Sequence, residues 1–269
     1  MSENMKQYAY WRDQLEFLVP FIIIAIIWEL LVLVGFLNHL LFPPPSIIFN
    51  TFIDLLLNRY PSLIDHLITS LYHIIVGYVL GVSLGIIVGT LIGINRVLYY
   101  ALNPIIALLI PVPTLAWVPL LLIIVGLGHE TIIIAIFLGC FFPVVYNTLT
   151  GIRSTEHHLI WAAEVMGATK LDIYLHVLLP SSLLSIITGS RLAVGYSWRA
   201  LVGAEMLAGI AMGVGHMIYA ARWGFHIDVM FTGLVIIAAG GLIMDRLLMR
   251  PLERMTIEKW GIVQRRSGK

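Results

Sequence analysis

The sequence predicts an all-α membrane protein of about six transmembrane helices, and three observations carry that prediction. Of its 269 residues, 59% are hydrophobic and only 12% charged, where soluble domains carry about 25% charged residues; the mean hydropathy is +0.95. Apolar runs near the ~20 residues that a helix needs to cross a bilayer recur along the chain. The basic residues, finally, are distributed unevenly between alternate connections. A net charge of +1 gives no pull toward nucleic acid. The single cysteine, Cys140, lies in an apolar run and excludes an intrachain disulfide or a cysteine-based metal framework.

In chain order, the N-terminus is polar, with Glu3, Lys6, Arg12, Asp13 and Glu16. The apolar run that follows is too long for the core of a signal peptide and lacks a small-residue cleavage site, so an uncleaved first span is expected over 17–37. Phe-Pro-Pro-Pro-Ser at 42–46 then breaks the chain. Ser46 is placed to cap a partly apolar interfacial segment reaching residue 57. A second span is expected over 67–94. Its glycines Gly77, Gly81, Gly85, Gly89 and Gly93 recur every fourth residue along one ridge, a helix-packing face with no chemistry assigned to it. The third span, 101–127, carries Pro104, Pro111, Pro113 and Pro119 and should be kinked or broken. At membrane depth, a break persists only where protein or a water-filled cavity satisfies the freed carbonyls. Further spans are expected over 131–149, 182–208 and 227–249. The glycine-rich connection 209–226 reads as either a surface or a re-entrant helix.

With the N-terminus in the cytoplasm, the inner connections hold Lys6, Arg12, Arg96, Arg153, Lys170 and a basic tail of Arg246, Arg250, Arg254, Lys259, Arg265, Arg266 and Lys269. The outer ones hold only Arg59 and Arg222. The positive-inside rule therefore places both termini and the stretch 156–180 on the cytoplasmic face. The expected organisation is a cytoplasmic segment 1–16, a transmembrane domain 17–249 and a basic cytoplasmic tail 250–269.

Within this greasy chain the stretch 156–180, Glu-His-His-Leu to Leu-Leu-Pro, is the longest polar-punctuated interval. Thr155 is placed to cap a first helix whose Leu159, Ala162, Ala163 and Met166 share one face. Gly167 can end that helix in the left-handed conformation. Thr169 and Asp172 form a capping box that restarts the chain. Leu171, Tyr174, Leu175 and Leu178 then form a second stripe, stopped before Pro180. Such a helical hairpin with a small-residue face suits docking into a groove on another protein.

Several chemistries are absent from the sequence. No P-loop, zinc-protease His-Glu-x-x-His or nucleophile-elbow pattern occurs. The pairs His157–His158 and His66–His73 read as interfacial or helix-end histidines rather than metal ligands. Ionisable groups inside spans are costly and so attract a functional reading. Glu29, Arg191, Arg199, Glu205 and Asp245 qualify, with Arg191 and Asp245 near enough to the predicted cytoplasmic ends to snorkel. Arg199 and Glu205 lie deeper, six residues apart and on different faces. Each either lines a solute path or is paired structurally by another helix.

Trp161 to Pro180, WAAEVMGATKLDIYLHVLLP, resembles the cytoplasmic signature of ATP-binding-cassette importer permeases, in which Glu-Ala-Ala is followed three residues on by glycine and ends near Leu-Pro. Ala162, Ala163, Gly167, Leu179 and Pro180 match it position for position. FPPPS, the glycine-laddered second span, PVPTLAWVPLLL and GYSWRALVGAEML resemble the nitrate/sulfonate/taurine/bicarbonate branch of the same family. The resemblance runs from about residue 28 to residue 245. Trp161 departs from it, standing where the family has its glutamate; Glu164 lies three residues on and could substitute.

The resemblance implies the fold of a type I importer permease with a coupling helix that docks on an ATPase subunit. It implies that Trp161, Ala162, Ala163, Glu164, Gly167 and Ala168 lie at that coupling interface. It further implies two ATPase subunits, a second permease copy forming a homodimer, and an external or periplasmic solute-binding protein, all at the bacterial inner membrane. ATP would be bound by the partner, so the permease itself would hold no cofactor or metal and would not be an enzyme. The expected cargo is a small anion or organic acid. An ion-gradient-driven secondary transporter and a membrane-embedded enzyme are the rival readings. The first would call for inverted repeats and the second for clustered acid–base residues on facing spans, and the sequence displays neither.

Overall fold

A computed structural model describes residues 19–59, 61–244 and 246. The expected N-terminal segment 1–16, the tail 250–269 and Asp245 lie outside the described residues. Among the described residues there is no strand. The helices in order are α1 (Val19–Leu33), α2 (Pro45–Leu57), α3 (Leu63–Ile94), α4 (Arg96–Leu109), α5 (Thr114–Ile124), α6 (His129–Arg153), α7 (His157–Val165), α8 (Lys170–Ile173), a π turn (Tyr174–Leu178), α9 (Leu179–Leu207), α10 (Val214–Trp223) and α11 (Ile227–Met244). Among the described residues, four helical stretches are long and apolar enough to cross a membrane: α3, α6, the unbroken run Lys170–Leu207, and α11. A fifth is added if α4 and α5, bent by 100°, count as one span. The described part of the expected first span is the shorter apolar helix α1.

The chain divides into two compact units, residues 1–63 with 217–235, and residues 64–216 with 236–269. In the first, Ser46 does not cap α2 as expected. Pro44 takes the cap position and Pro45 opens the helix, a site where the missing N–H costs nothing. Ser46 instead donates its hydroxyl and its amide to the Glu29 carboxylate, at 2.8 and 3.1 Å. Glu29 thus supplies the negative group that a helix N-terminus favours. Asp228 accepts from the Thr51 hydroxyl at 2.8 Å, and Thr232 donates to the Ile48 carbonyl at 3.2 Å, binding α2 to the start of α11.

The second unit is built on three long helices. A Cβ placed on Gly77, Gly85, Gly89 or Gly93 would sit 2.6–3.0 Å from Ile136, Val144, Thr148 or Ile152 respectively, and one on Gly81 would strike Cys140. Glycine n therefore faces residue n+59 all along the ladder, so α3 and α6 run parallel in backbone-close contact, as small-residue ridges permit. Between α6 and α9 the order reverses: Gly151 faces Ser185, Gly189 faces Asn147, and the Cys140 thiol lies 3.8 Å from the Ala193 carbonyl. These helices are antiparallel. Ile74, Ile132, Ile136, Val144, Ala193 and Leu201 fill the fully or nearly fully buried core.

Parallel α3 and α6 fix the role of the segment between them. The chain leaves α3 at Ile94, beside Ile152 at the end of α6, and must enter α6 at the opposite end. Helices α4 and α5 therefore traverse the unit as a broken span. The break falls at Ile110–Pro113, with Pro104 and Pro119 retained inside the two halves. Asn95 caps α4, its side chain accepting from the Val97 and Leu98 amides at 2.9 and 3.2 Å.

Candidate functional site

The second unit presents two chemically distinct ends. Arg96, Arg153, Lys170 and the α7–α8 hairpin lie at one. There, Arg153 stacks over the Tyr99 ring at 3.8 Å, a cation–π contact.

In the hairpin, Thr155 does not cap α7. Glu156 holds the cap position without a side-chain bond, and the Thr155 hydroxyl is buried with no partner. The α7 C-terminus is closed by Gly167 at φ 83°. The Gly167 amide donates to the Glu164 carbonyl at 2.9 Å, and the Ala168 amide to the Ala163 carbonyl at 3.0 Å. This paired reversal is the one that a left-handed glycine permits. Thr169 and Asp172 then form a complete capping box, with the Thr169 amide donating to Asp172 at 2.9 Å.

The second helix of the hairpin does not stop before Pro180 but runs on into α9. A proline has no N–H and crowds the carbonyl four residues back. The π turn Tyr174–Leu178 accommodates both effects, because its wider winding lets the Leu179 amide reach the Tyr174 carbonyl five residues back. The hairpin arm and α9 are one helix of 38 residues.

Of the expected α7 stripe only Ala163 is buried. Trp161, Val165 and Met166 are 64%, 89% and 81% exposed, and Leu171 is 64% exposed. Trp161 stacks on His157 with ring centroids 6.2 Å apart. Glu164 lies away from it, lining a cleft of about 570 Å³ with Asn95, Arg96 and Lys170. Ala162 and Ala168 stay near the surface.

In the last third of α9, Arg199 is exposed and lies over the Tyr196 ring at 5.5 Å. It borders two cavities of about 400 Å³ each. One is walled by the α4–α5 break, Thr114 and Phe142, the other by Arg191, Trp198 and Gly241.

The opposite end holds a buried polar cluster around Glu205, which is fully buried. Glu205 accepts from the Ser70 hydroxyl at 2.8 Å and the Gly215 amide at 2.9 Å, and its Oε1 lies 2.9 Å from His73 Nδ1. His73 Nε2 lies 2.7 Å from Nδ1 of the exposed His129. His66 accepts from the Gly213 amide at 3.0 Å, and Ser70 from the Val214 amide at 2.9 Å. Arg199 and Glu205 thus have separate surroundings, as their spacing on one helix requires. Sequence reasoning found Glu205 and His66–His73 but not their union, nor the parts of Ser70 and His129. The available signal was His66, Ser70 and His73 at i, i+4 and i+7 on one face of an otherwise apolar span. Among the described residues no group of His, Cys, Asp and Glu could hold a metal ion.

Residues 81–254 match the family model described as binding-protein-dependent transport system inner membrane component. The chain is 35% identical over 255 residues to a Bacillus subtilis protein named as an aliphatic sulfonates transport permease, covering 95% of this chain and 89% of that one. It is 31% identical over 245 residues to the taurine transport system permease protein of Escherichia coli, covering 90% and 88%. A chain of the MetNI methionine ABC transporter, solved in inward-facing conformations, superposes with a TM-score of 0.61 over 74% of this chain and 99% of its own, at 21% identity, a likeness of fold. The chain therefore belongs to the binding-protein-dependent transport system inner membrane components, the permeases of ABC importers, within the branch that holds the sulfonate and taurine permeases.

Proposed function

We propose that this permease forms the path for a small anion or organic acid, of the sulfonate, taurine, nitrate or bicarbonate kind, and is driven by ATP hydrolysed in a separate subunit. The complete importer would hold two permease copies, two ATPase subunits and an external solute-binding protein. The α7–α8 hairpin would face the cytoplasm and dock on the ATPase. One observation carries this reading: Trp161, Val165 and Met166 stand exposed on a nine-residue helix and its cap, outside any segment long enough to span a membrane. Apolar side chains held out by a hairpin closed at Gly167 and at the Thr169–Asp172 box call for a protein partner. The continuous helix from Lys170 to Leu207 would carry movement of the hairpin into the path. Arg199, at the border of the two cavities, is the group placed to meet an anion there.

The test is the double change Val165→Asp with Met166→Asp, which alters only exposed side chains. Copurification of the ATPase should fall at least tenfold while permease yield and Tm stay unchanged. Undiminished copurification with coupled transport would sink the docking reading.

A further inference from the structure

The Glu205 cluster lies at the end of α9 farthest from the hairpin, and the path reading leaves it without a role. Its geometry is that of a clamp. The segment that follows α9 turns back, and its three successive amides, Gly213, Val214 and Gly215, donate to His66, Ser70 and Glu205 at 2.9–3.0 Å. These are the amides at the start of α10, which have no partners within the helix. Two acceptors stand on α3 and the third on α9. Two glycines make the approach possible. A Cβ on Gly213 would lie 2.6 Å from the Glu205 carboxyl carbon, and one on Gly215 would lie 2.8 Å from Glu205 Cβ; Gly213 also has φ 123°, a conformation that side chains disfavour. His73 completes the carboxylate's partners and hands the hydrogen-bonded chain on to His129 on α6. With three partners on a fully buried carboxylate, each bond is strong and each loss leaves an unsatisfied buried group.

We propose that Glu205 is a positioning residue that makes the segment 208–216 travel with α9. Resting on the hairpin reading above, it is the far end of the lever. Force applied at Lys170 passes along one unbroken helix, and at Glu205 it reaches the turn into α10 and the start of α3. Without this clamp α9 would still move, but the segment would not follow.

The experiment uses the permease–ATPase complex in nanodiscs, with Cys140→Ser to remove the buried native thiol and Ala211→Cys to place a probe on the exposed part of the segment. The rate of maleimide labelling is measured with and without ATP and vanadate. The parent rate should change at least threefold between the two states. In Glu205→Ala the change should fall below 1.5-fold while ATP hydrolysis persists. Glu205→Gln, which keeps an acceptor for the Gly215 amide, should retain at least half of the change. A full ATP-dependent change in Glu205→Ala, or none in a parent that hydrolyses ATP, overturns the proposal. Should Glu205→Ala fail to fold, Ser70→Ala, which cuts the link from the Val214 amide to the Glu205 carboxylate, should reduce the change; if it does not, the proposal is equally overturned. Failure of the hairpin reading looks different: the double variant Val165→Asp with Met166→Asp would leave the ATPase bound, whatever the Ala211→Cys probe reports.

Discussion

Arg199 and Glu205 show how differently two charges on one helix can be used. Glu205 is fully buried and its carboxylate is held by three groups, the Ser70 hydroxyl, His73 and the Gly215 amide. Arg199 is exposed to two cavities and leans on Tyr196. A guanidinium bordering cavities with low-dielectric walls attracts an anion over several ångströms. In the reconstituted importer with taurine and nitrate as test solutes, Arg199→Ala should lower uptake at least tenfold and leave basal ATP hydrolysis within twofold. Unchanged uptake of whichever solute the parent carries would remove Arg199 from the path. The costly residues themselves were legible in the sequence, because a charge within a span stands out against its neighbours. Their partners were not. Ser70 and His129 are ordinary polar residues until α3, α6 and α9 are brought together, and that requires knowing which helices run parallel. Glu29 was misleading for a related reason: it reads as a buried charge in a span but serves as the anion at the N-terminus of α2.

At the scale of elements, local chemistry predicted the closures at Gly167 and Thr169–Asp172, missed those expected of Ser46 and Thr155, and missed the continuity through Pro180. Gly167 and the Thr169–Asp172 box behave as their residue types dictate, since caps depend on atoms only a few positions away. The glycine ladder was legible as a ridge, though not as one that meets α6 at a constant offset. Pro180 was read as a stop, and the helix passes through it. The π turn that makes this possible stores one extra residue in the winding, and it exists because the proline cannot offer an amide. In Pro180→Ala that reason disappears, and regular α winding from Lys170 to Leu207 becomes available. Relaxing the turn would rotate the hairpin against α9 by ~100°. The expected outcome is a stable permease, with Tm unchanged or slightly higher, whose ATP hydrolysis is uncoupled from uptake at least fivefold. Intact coupling would mean that the π winding is not needed for the hairpin's setting.

At the scale of the whole molecule, the distribution of charge and the direction of the helices agree. In the second unit Arg96, Arg153 and Lys170 gather at one end because α3 and α6 both finish there and α9 begins there. The opposite end carries His66, His73, His129 and Glu205. That polarity is what the positive-inside rule expects of a chain with its hairpin in the cytoplasm. Single cysteines introduced at exposed Lys170 and at Ala211, in the Cys140→Ser background, test it in intact cells. An impermeant maleimide should label position 211 at least tenfold faster than position 170. The opposite preference would reverse the orientation and take the hairpin out of reach of a cytoplasmic ATPase.

The unbroken run from Lys170 to Leu207 also limits how such a protein can be altered. A loop absorbs an inserted residue by bulging, whereas a helix passes it on as ~100° of rotation and ~1.5 Å of advance for everything beyond. One residue added between the hairpin and Glu205, unless the winding stores it as the π turn does, would turn the exposed hairpin and the buried carboxylate by ~100° relative to each other, even if the insertion lay some 30 residues from Glu205. Hairpins could be exchanged between related permeases only with the helical count kept, and the natural place to cut is the loop before Thr169, where the phase of α9 has not yet been set.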